Sequence, residues 1–403
     1  MAARAPLKRM ATLRKVKYGA SDMMVTEVCA GTMNWGSFNA DEAEAHAQLD
    51  ALVGEGVNFF DTAELYPVGW NYGRTTETWM GNWLAARTKS GAVKRDDLYF
   101  ATKCNTSGKG GTVEPWEAHG YDADRLRASC EASIARLRCG ALDLYMLHFP
   151  SRMGFEAFGW ANWLAPERYE KTKNSSGDLA DFERQVLAVK GLFDAKLIKH
   201  WGLSNENAFG LTMFCMLCDK HGVPRPVSCQ NDFSFNNRVY EGDLAEACHH
   251  FGVVGMPYGA LAGGMLTGKL HDAKYAGDRP LELTRHRVKA DFQPRYACPV
   301  AMAAAAEYIA LAEEYGISPT DLALAWTRDR WFNAVVVTGT TTVQQCVECC
   351  AAMRLEPLPD ELNAKIDAIH ERYRSPSAAL CSKNLVMAAP WLDDDGAKKR
   401  RTD

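Results

Sequence analysis

Leu142-Asp143-Leu144-Tyr145-Met146-Leu147-His148 reads as a buried strand that ends on a residue able to do chemistry. Three other short apolar runs end in the same way. Val57-Asn58-Phe59-Phe60 leads to Asp61, Leu98-Tyr99-Phe100-Ala101-Thr102 to Lys103, and the run from Ile198 to Leu203 to Asn205. A buried strand has no use for a charge at its C-terminal end unless that end opens onto a site. Parallel strands of a barrel or an open α/β sheet open there. Repeated at strand after strand, the pattern predicts one active site at a common mouth.

Outward from these runs, strand and helix signals alternate. Strands are expected at 25–31, 57–61, 98–103, 142–147, 198–203, 226–230, 253–258 and 334–338. Helices are expected at 41–54, 75–87, 123–138, 180–196, 206–220, 239–250, 300–315 and 343–352. In the third helix Leu126, Cys130, Ile134 and Leu137 make one apolar face. The rhythm is that of a single-domain α/β protein, a (β/α)8 TIM barrel with long βα loops and flexible tails. The barrel is assigned to residues 17–373, after a basic N-terminal extension (1–16) and before a C-terminal tail (374–403). Connections 149–179 and 259–299 leave from strand C-termini, so both overhang the mouth.

Composition narrows the class. The chain has 403 residues, 47% of them apolar and 24% charged, enough for a large core without disulfide staples. A net charge of -4 gives no reason to expect nucleic acid or an anionic membrane as partner. Thirteen cysteines scattered through helix and strand patterns fit reduced thiols in the cytoplasm. The first residues carry Arg and Lys but no acid before Asp22, which reads as a basic tail, with an organellar transit peptide as the alternative. The KKRR cluster at 398–401 reads as a solvated charge run.

Place Asp61, Tyr66, Lys103 and His148 at one mouth and a mechanism follows. A phenol with a pKa near 10 exchanges protons too reluctantly at neutral pH. A lysine cation beside it favours phenolate, an aspartate keeps that lysine charged, and a histidine hydrogen-bonds the oxygen to be protonated. Such a site suits carbonyl reduction, with the hydride coming from a cofactor, because no side chain donates one.

DTAELYP (61–67), the lysine in LYFATKC (98–104), LDLYMLH (142–148), GLSN (202–205), QND (230–232) and TGTTTVQQ (338–345) resemble the aldo-keto reductases in order and spacing. The resemblance runs from Lys17 to Tyr373 and is strongest to the bacterial and plant branch, which is related to potassium-channel β subunits. It implies a (β/α)8 barrel that binds NADPH and reduces a small-molecule carbonyl substrate. Asp61, Tyr66, Lys103 and His148 would be its catalytic tetrad. Gly31, Thr32 and Met33 would line the nicotinamide end, Ser204, Asn205 and Gln230 would hold the carboxamide, and Tyr258 would stack on the ring. Leu261, Gly263, Gly339, Thr341, Gln345 and Cys349 would surround the pyrophosphate and adenosine. Two positions depart from the family. Gly259-Ala260 stands where Ser-Pro is usual, with a Gly259 backbone N–H as substitute, and Cys349 stands where Asn is common. A 2′-phosphate needs a cation, for which Arg285, Arg287, Lys289 and Arg295 are candidates. Trp35, Trp70, Tyr72 and Phe149, with Trp160 and Trp163, are expected to wall an apolar or aromatic substrate pocket.

Other features read as structure. GGMLTGK (263–269) matches a P-loop spacing, but Leu270 follows where Ser or Thr must bind magnesium. Cys215 and Cys218 lie on a helical pattern with no second pair, so they are packing and not a zinc site. Two rival functions remain: an NADPH-binding regulatory subunit with little turnover, and a lyase using Lys103 as a Schiff-base nucleophile.

Overall fold

The computed structural model describes residues 7–38, 41–68, 73–105, 121–151, 177–276, 284–289 and 293–378. An antiparallel hairpin, β1 (Lys15–Lys17) and β2 (Met24–Thr26), precedes the barrel. The parallel strands are β3 (Val28–Gly31), β4 (Phe59–Asp61), β5 (Tyr99–Cys104), β6 (Leu142–Leu147), β7 (Ile198–Ser204), β8 (Ser228–Gln230), β9 (Val254–Gly255) and β10 (Val336–Gly339). Their spatial order is β10-β3-β4-β5-β6-β7-β8-β9. The two ends meet through Gly255 N to Phe332 O (2.7 Å), Ala334 N to Gly255 O (2.9 Å) and Val337 N to Pro257 O (2.9 Å). The sheet is therefore closed, and the fold is the expected (β/α)8 barrel.

Strand alternation decides which side chains reach the inside. Phe59, Ala101, Leu144 and Met146 belong to the barrel interior, together with Met256 and Val337. Phe60, Phe100 and Tyr145 point outward, into the layer shared with the helices. Counting on by two from Phe59, Ala101 and Met146 gives Asp61, Lys103 and His148, so all three emerge inward at the mouth. Tyr18, Met23 and Val25 of the hairpin region join the interior cluster. The strand expected at 25–31 is thus two strands, broken at Glu27, whose carboxylate accepts from Arg14 Nε and Nη2 (2.7 and 2.8 Å).

The helices are α1 (Glu42–Gly54), α2 (Thr75–Ser90), α3 (Ala123–Leu137), α4 (Gly177–Asp194), α5 (Ala208–His221) and α6 (Asp243–Phe251). They continue with the short α7 (Arg285–Val288), α8 (Pro299–Glu314), α9 (Pro319–Arg328), α10 (Val343–Met353) and α11 (Asp360–Arg372). Asp41, Asp122, Asn207, Ser318 and Thr342 cap their helices through side-chain oxygens. The sequence pattern placed the helix before the last strand at 300–315. That helix exists as α8, but it packs on α11, whereas α9 packs on α10 and touches β10. Every residue of α9 except Thr320 is buried, so it has no exposed polar stripe to reveal a helical period.

Both tails are partly docked. Leu13 is buried, and residues 8–10 pair with 354–356. Ser377 N donates to Asn236 O (2.8 Å). The described cysteines are all buried free thiols, among them Cys215 and Cys218 on the buried side of α5. Among the described residues no helix is long and apolar enough to cross a membrane, and no cluster of metal-ligating side chains occurs.

Candidate active site

Asp61 is the last residue of β4, and the turn after it is pinned to β5. Thr62 N donates to Ala101 O (2.9 Å), Glu64 N to Lys103 O (3.1 Å) and Tyr66 N to Ala63 O (2.9 Å). That turn delivers the Tyr66 phenol over the Lys103 ammonium. Lys103 Nζ donates to Asp61 Oδ2 (2.7 Å) and Thr62 O (2.8 Å), and stands 3.5 Å from Tyr66 Oη. Gln230 Nε2 donates to the other Asp61 oxygen (2.8 Å). His148 packs edge-on to Tyr66, with ring centroids 5.7 Å apart. Phe149 stacks on His148 at 4.3 Å.

Burial sets the charge states. It pushes the Asp61 carboxyl up and the Lys103 ammonium down from their usual values, and each charge opposes the shift of the other. Burial, followed by the Asp61 charge, raises the Tyr66 phenol well above its ordinary value. Lys103 makes its shorter contacts to Asp61 and Thr62 and stands farther from the phenol. Tyr66 is therefore held as the neutral phenol, the form that can give a proton. Burial and the Lys103 charge push His148 well below the usual histidine value, so its ring is neutral. Its Nδ1 is buried and has no hydrogen-bond partner among the described residues.

Asp61, Tyr66 and His148 line one continuous cleft of about 1430 Å³. Lys103 does not reach it; the lysine is fully buried behind Tyr66. Gly31, Thr32, Met33, Ser204, Asn205, Gln230, Tyr258, Gly259, Leu261, Gly263, Gly339, Thr341, Gln345 and Cys349 all line the same cleft, as does Phe149. Trp35 does not. Its indole N–H donates to Gln48 Oε1 (3.0 Å) inside the outer core, because the turn after β3 directs it down onto α1. Trp70, Tyr72, Trp160 and Trp163 lie outside the described residues.

The residues expected around a carboxamide are tied to one another. Asn205 Nδ2 donates to His148 O (2.9 Å) and Ser204 Oγ (3.2 Å), while Tyr258 Oη donates to Asn205 Oδ1 (2.7 Å). Asn205 has a left-handed backbone (φ 57°), which asparagine tolerates better than most residues.

The departure at Gly259 has a steric cause. Its φ is +77°, and a Cβ there would sit 2.4 Å from Asp232 Oδ1 and 2.6 Å from Tyr296 Oη. Those atoms belong to a buried triad in which Tyr296 Oη donates to Asp232 Oδ1 (2.8 Å) and Arg295 Nε to Asp232 Oδ2 (2.9 Å). Arg295 is thereby committed to holding the loop. Arg285 donates to Asn34 Oδ1 (2.7 Å) on the cleft wall, and burial pushes its guanidinium down to about 10. Lys269, dismissed with the P-loop pattern, lines the cleft as well. Asn34, Asp232 and Lys269 are the positions that sequence reasoning missed. Asp232 had a signal in its QND triplet and Asn34 in its place directly after Gly31-Thr32-Met33.

Comparison with known proteins shows the family. The Aldo/keto reductase family model matches residues 27–371. The chain belongs to the aldo/keto reductase family. It is 34% identical to Protein tas of Escherichia coli over 366 residues, which covers 89% of this chain and 97% of that protein. It is 26% identical to the uncharacterized oxidoreductase YrpG of Bacillus subtilis, covering 84% and 90% of the two chains. A solved glycerol dehydrogenase from Gluconobacter oxydans superposes with a TM-score of 0.63 at 21% identity, covering 91% and 97%. As a member of this family the chain is an oxidoreductase of aldo-keto reductase type, for which a nicotinamide cofactor is the natural partner.

Proposed function

We propose that this chain is an NADPH-dependent reductase of aldehydes and ketones. The observation that carries the proposal is the Tyr66 phenol at the wall of a large cleft, 3.5 Å from the buried Lys103 that pairs with Asp61, and flanked by His148. The cleft fits a dinucleotide on two grounds. Its volume is about 1430 Å³, and its lining extends from Tyr66 and His148 to Gln345 and Cys349.

The bound dinucleotide supplies the hydride. Tyr66 Oη gives its proton to the substrate oxygen, His148 orients that oxygen, and Lys103 stabilises the phenolate left behind. Asp61, fixed by Gln230, keeps Lys103 charged and aimed. Phe149, stacked on His148, offers an apolar face to the carbonyl compound. Arg285 and Lys269 are among the cations on the cleft wall and are suited to phosphate groups.

A lysine committed to Asp61 and Thr62, with no exposed surface, is poorly placed for Schiff-base chemistry. The experiment is a fluorescence titration with NADPH and NADH, followed by turnover of 4-nitrobenzaldehyde. NADPH binding with steady turnover supports the reductase. Tight binding with negligible turnover favours a regulatory role, and no dinucleotide binding overturns the proposal.

A further inference from the structure

Arg9 lies outside residues 27–371, so the family pattern assigns it nothing. The chain nevertheless brings it to the cleft. Met10 N donates to Arg354 O (2.7 Å) and Glu356 N to Lys8 O (2.9 Å), which lays the N-terminal segment along the end of α10. From there Arg9 Nη1 and Nη2 donate to the two Asp321 oxygens (2.9 and 2.8 Å), and Nη1 donates also to Ala351 O (2.6 Å). Arg9 thus spans the gap between α9 and α10.

This place is an end of the cleft. Thr341, just before α10, and Gln345, Cys349 and Ala351 on it line the cleft, successively further along the chain from β10. At 1.5 Å per residue, Gln345 and Ala351 are about 9 Å apart along the axis. Arg9, Asp321 and Leu324 face the cleft at that far end. Asp321 is satisfied twice over, since it accepts from Arg9 and from Ser318 N (3.1 Å). Arg9 is not: its Nε–H and one Nη2–H have no partner among the described residues, and its side chain is 40% exposed. A latch between two helices needs no place on a ligand cleft and no spare donors there.

We infer that Arg9 is a binding residue for the adenosine half of the dinucleotide, presenting its guanidinium plane and its open N–H edge to the adenine base. Gln345 and Glu348 line the cleft beside it. The inference rests on the dinucleotide reading above. It makes the N-terminal segment part of the cofactor site instead of a tail.

The test compares full-length protein with Arg9→Met and Arg9→Lys, titrated with NADPH, ADP-ribose and reduced nicotinamide mononucleotide, with a thermal melt for each. Arg9→Met should weaken NADPH and ADP-ribose about three- to tenfold, the range of a guanidinium–aromatic contact, and leave the mononucleotide unchanged. Arg9→Lys, which keeps charge but not the plane, should recover only part. Unchanged NADPH affinity in Arg9→Met overturns the inference, and a lowered melt with unchanged affinity identifies Arg9 as a latch alone. Failure of the parent protein to bind NADPH is a separate result and overturns the proposed function.

Discussion

Restoring the serine that the family usually carries at position 259 should harm this protein. The resemblance alone predicts the reverse, because a serine hydroxyl there adds a contact to the pyrophosphate. Two costs arise from the structure. A non-glycine residue at φ +77° loses about 1–2 kcal/mol in backbone strain. A Cβ 2.4 Å from Asp232 Oδ1 and 2.6 Å from Tyr296 Oη must displace atoms that three hydrogen bonds hold in place, and overpacking of that kind costs about 1–3 kcal/mol. The sum for Gly259→Ser is about 2–5 kcal/mol. Unfolding entropy of about 2.1 cal/mol/K per residue, over 403 residues, converts each kcal/mol into about 1 °C. The melting temperature should fall by about 2–6 °C. NADPH affinity should fall as well, because Tyr258 neighbours the displaced triad. Calorimetry and fluorescence titration of the variant measure both. A Gly259→Ser protein that melts with the parent and binds NADPH more tightly refutes the steric reasoning.

Lys103→Met leaves Asp61 buried and uncompensated, so it should cost about 3–5 kcal/mol by urea unfolding, and Lys103→Met with Asp61→Leu should cost less than the single change. His286 is buried against Gly263, and burial pushes it to about 4. Its folded value lies below the unfolded 6.5, so the unfolded chain takes up the extra proton and stability falls as pH drops from 7 to 5, by about 2 kcal/mol from this residue. His286→Asn should flatten that slope in urea melts at the two pH values; an unchanged slope counts against the assignment. Trp35→Phe should lower stability, through the lost bond to Gln48, and leave the ranking of aromatic and aliphatic aldehydes unchanged.

Much of the site was legible because a strand repeats every two residues. Asp61, Lys103 and His148 follow inward-facing apolar residues at that spacing, and the mouth of a parallel barrel gathers whatever ends its strands. Helix α9 escaped because all its residues but Thr320 are buried, although its Ser318-Pro319-Thr320-Asp321 capping box stands in the sequence. Trp35 misled because proximity to Gly31-Thr32-Met33 says nothing about which way a turn sends an indole. Arg9 was out of reach for a plainer reason: its partner Asp321 lies 312 residues away, and an ion pair formed only by folding leaves no local pattern. Tyr66 shows the limit of pairwise electrostatics. Its neighbour Lys103 was visible, but the burial that raises the phenol is a property of the assembled barrel.

The most direct test of the central claim mixes the preformed NADPH complex of parent or Tyr66→Phe protein with 4-nitrobenzaldehyde and follows NADPH oxidation in a single turnover. With Tyr66 as proton donor, the variant should bind NADPH as the parent does and oxidise it about 10²–10⁴ times more slowly. Equal single-turnover rates in the two proteins would contradict the account.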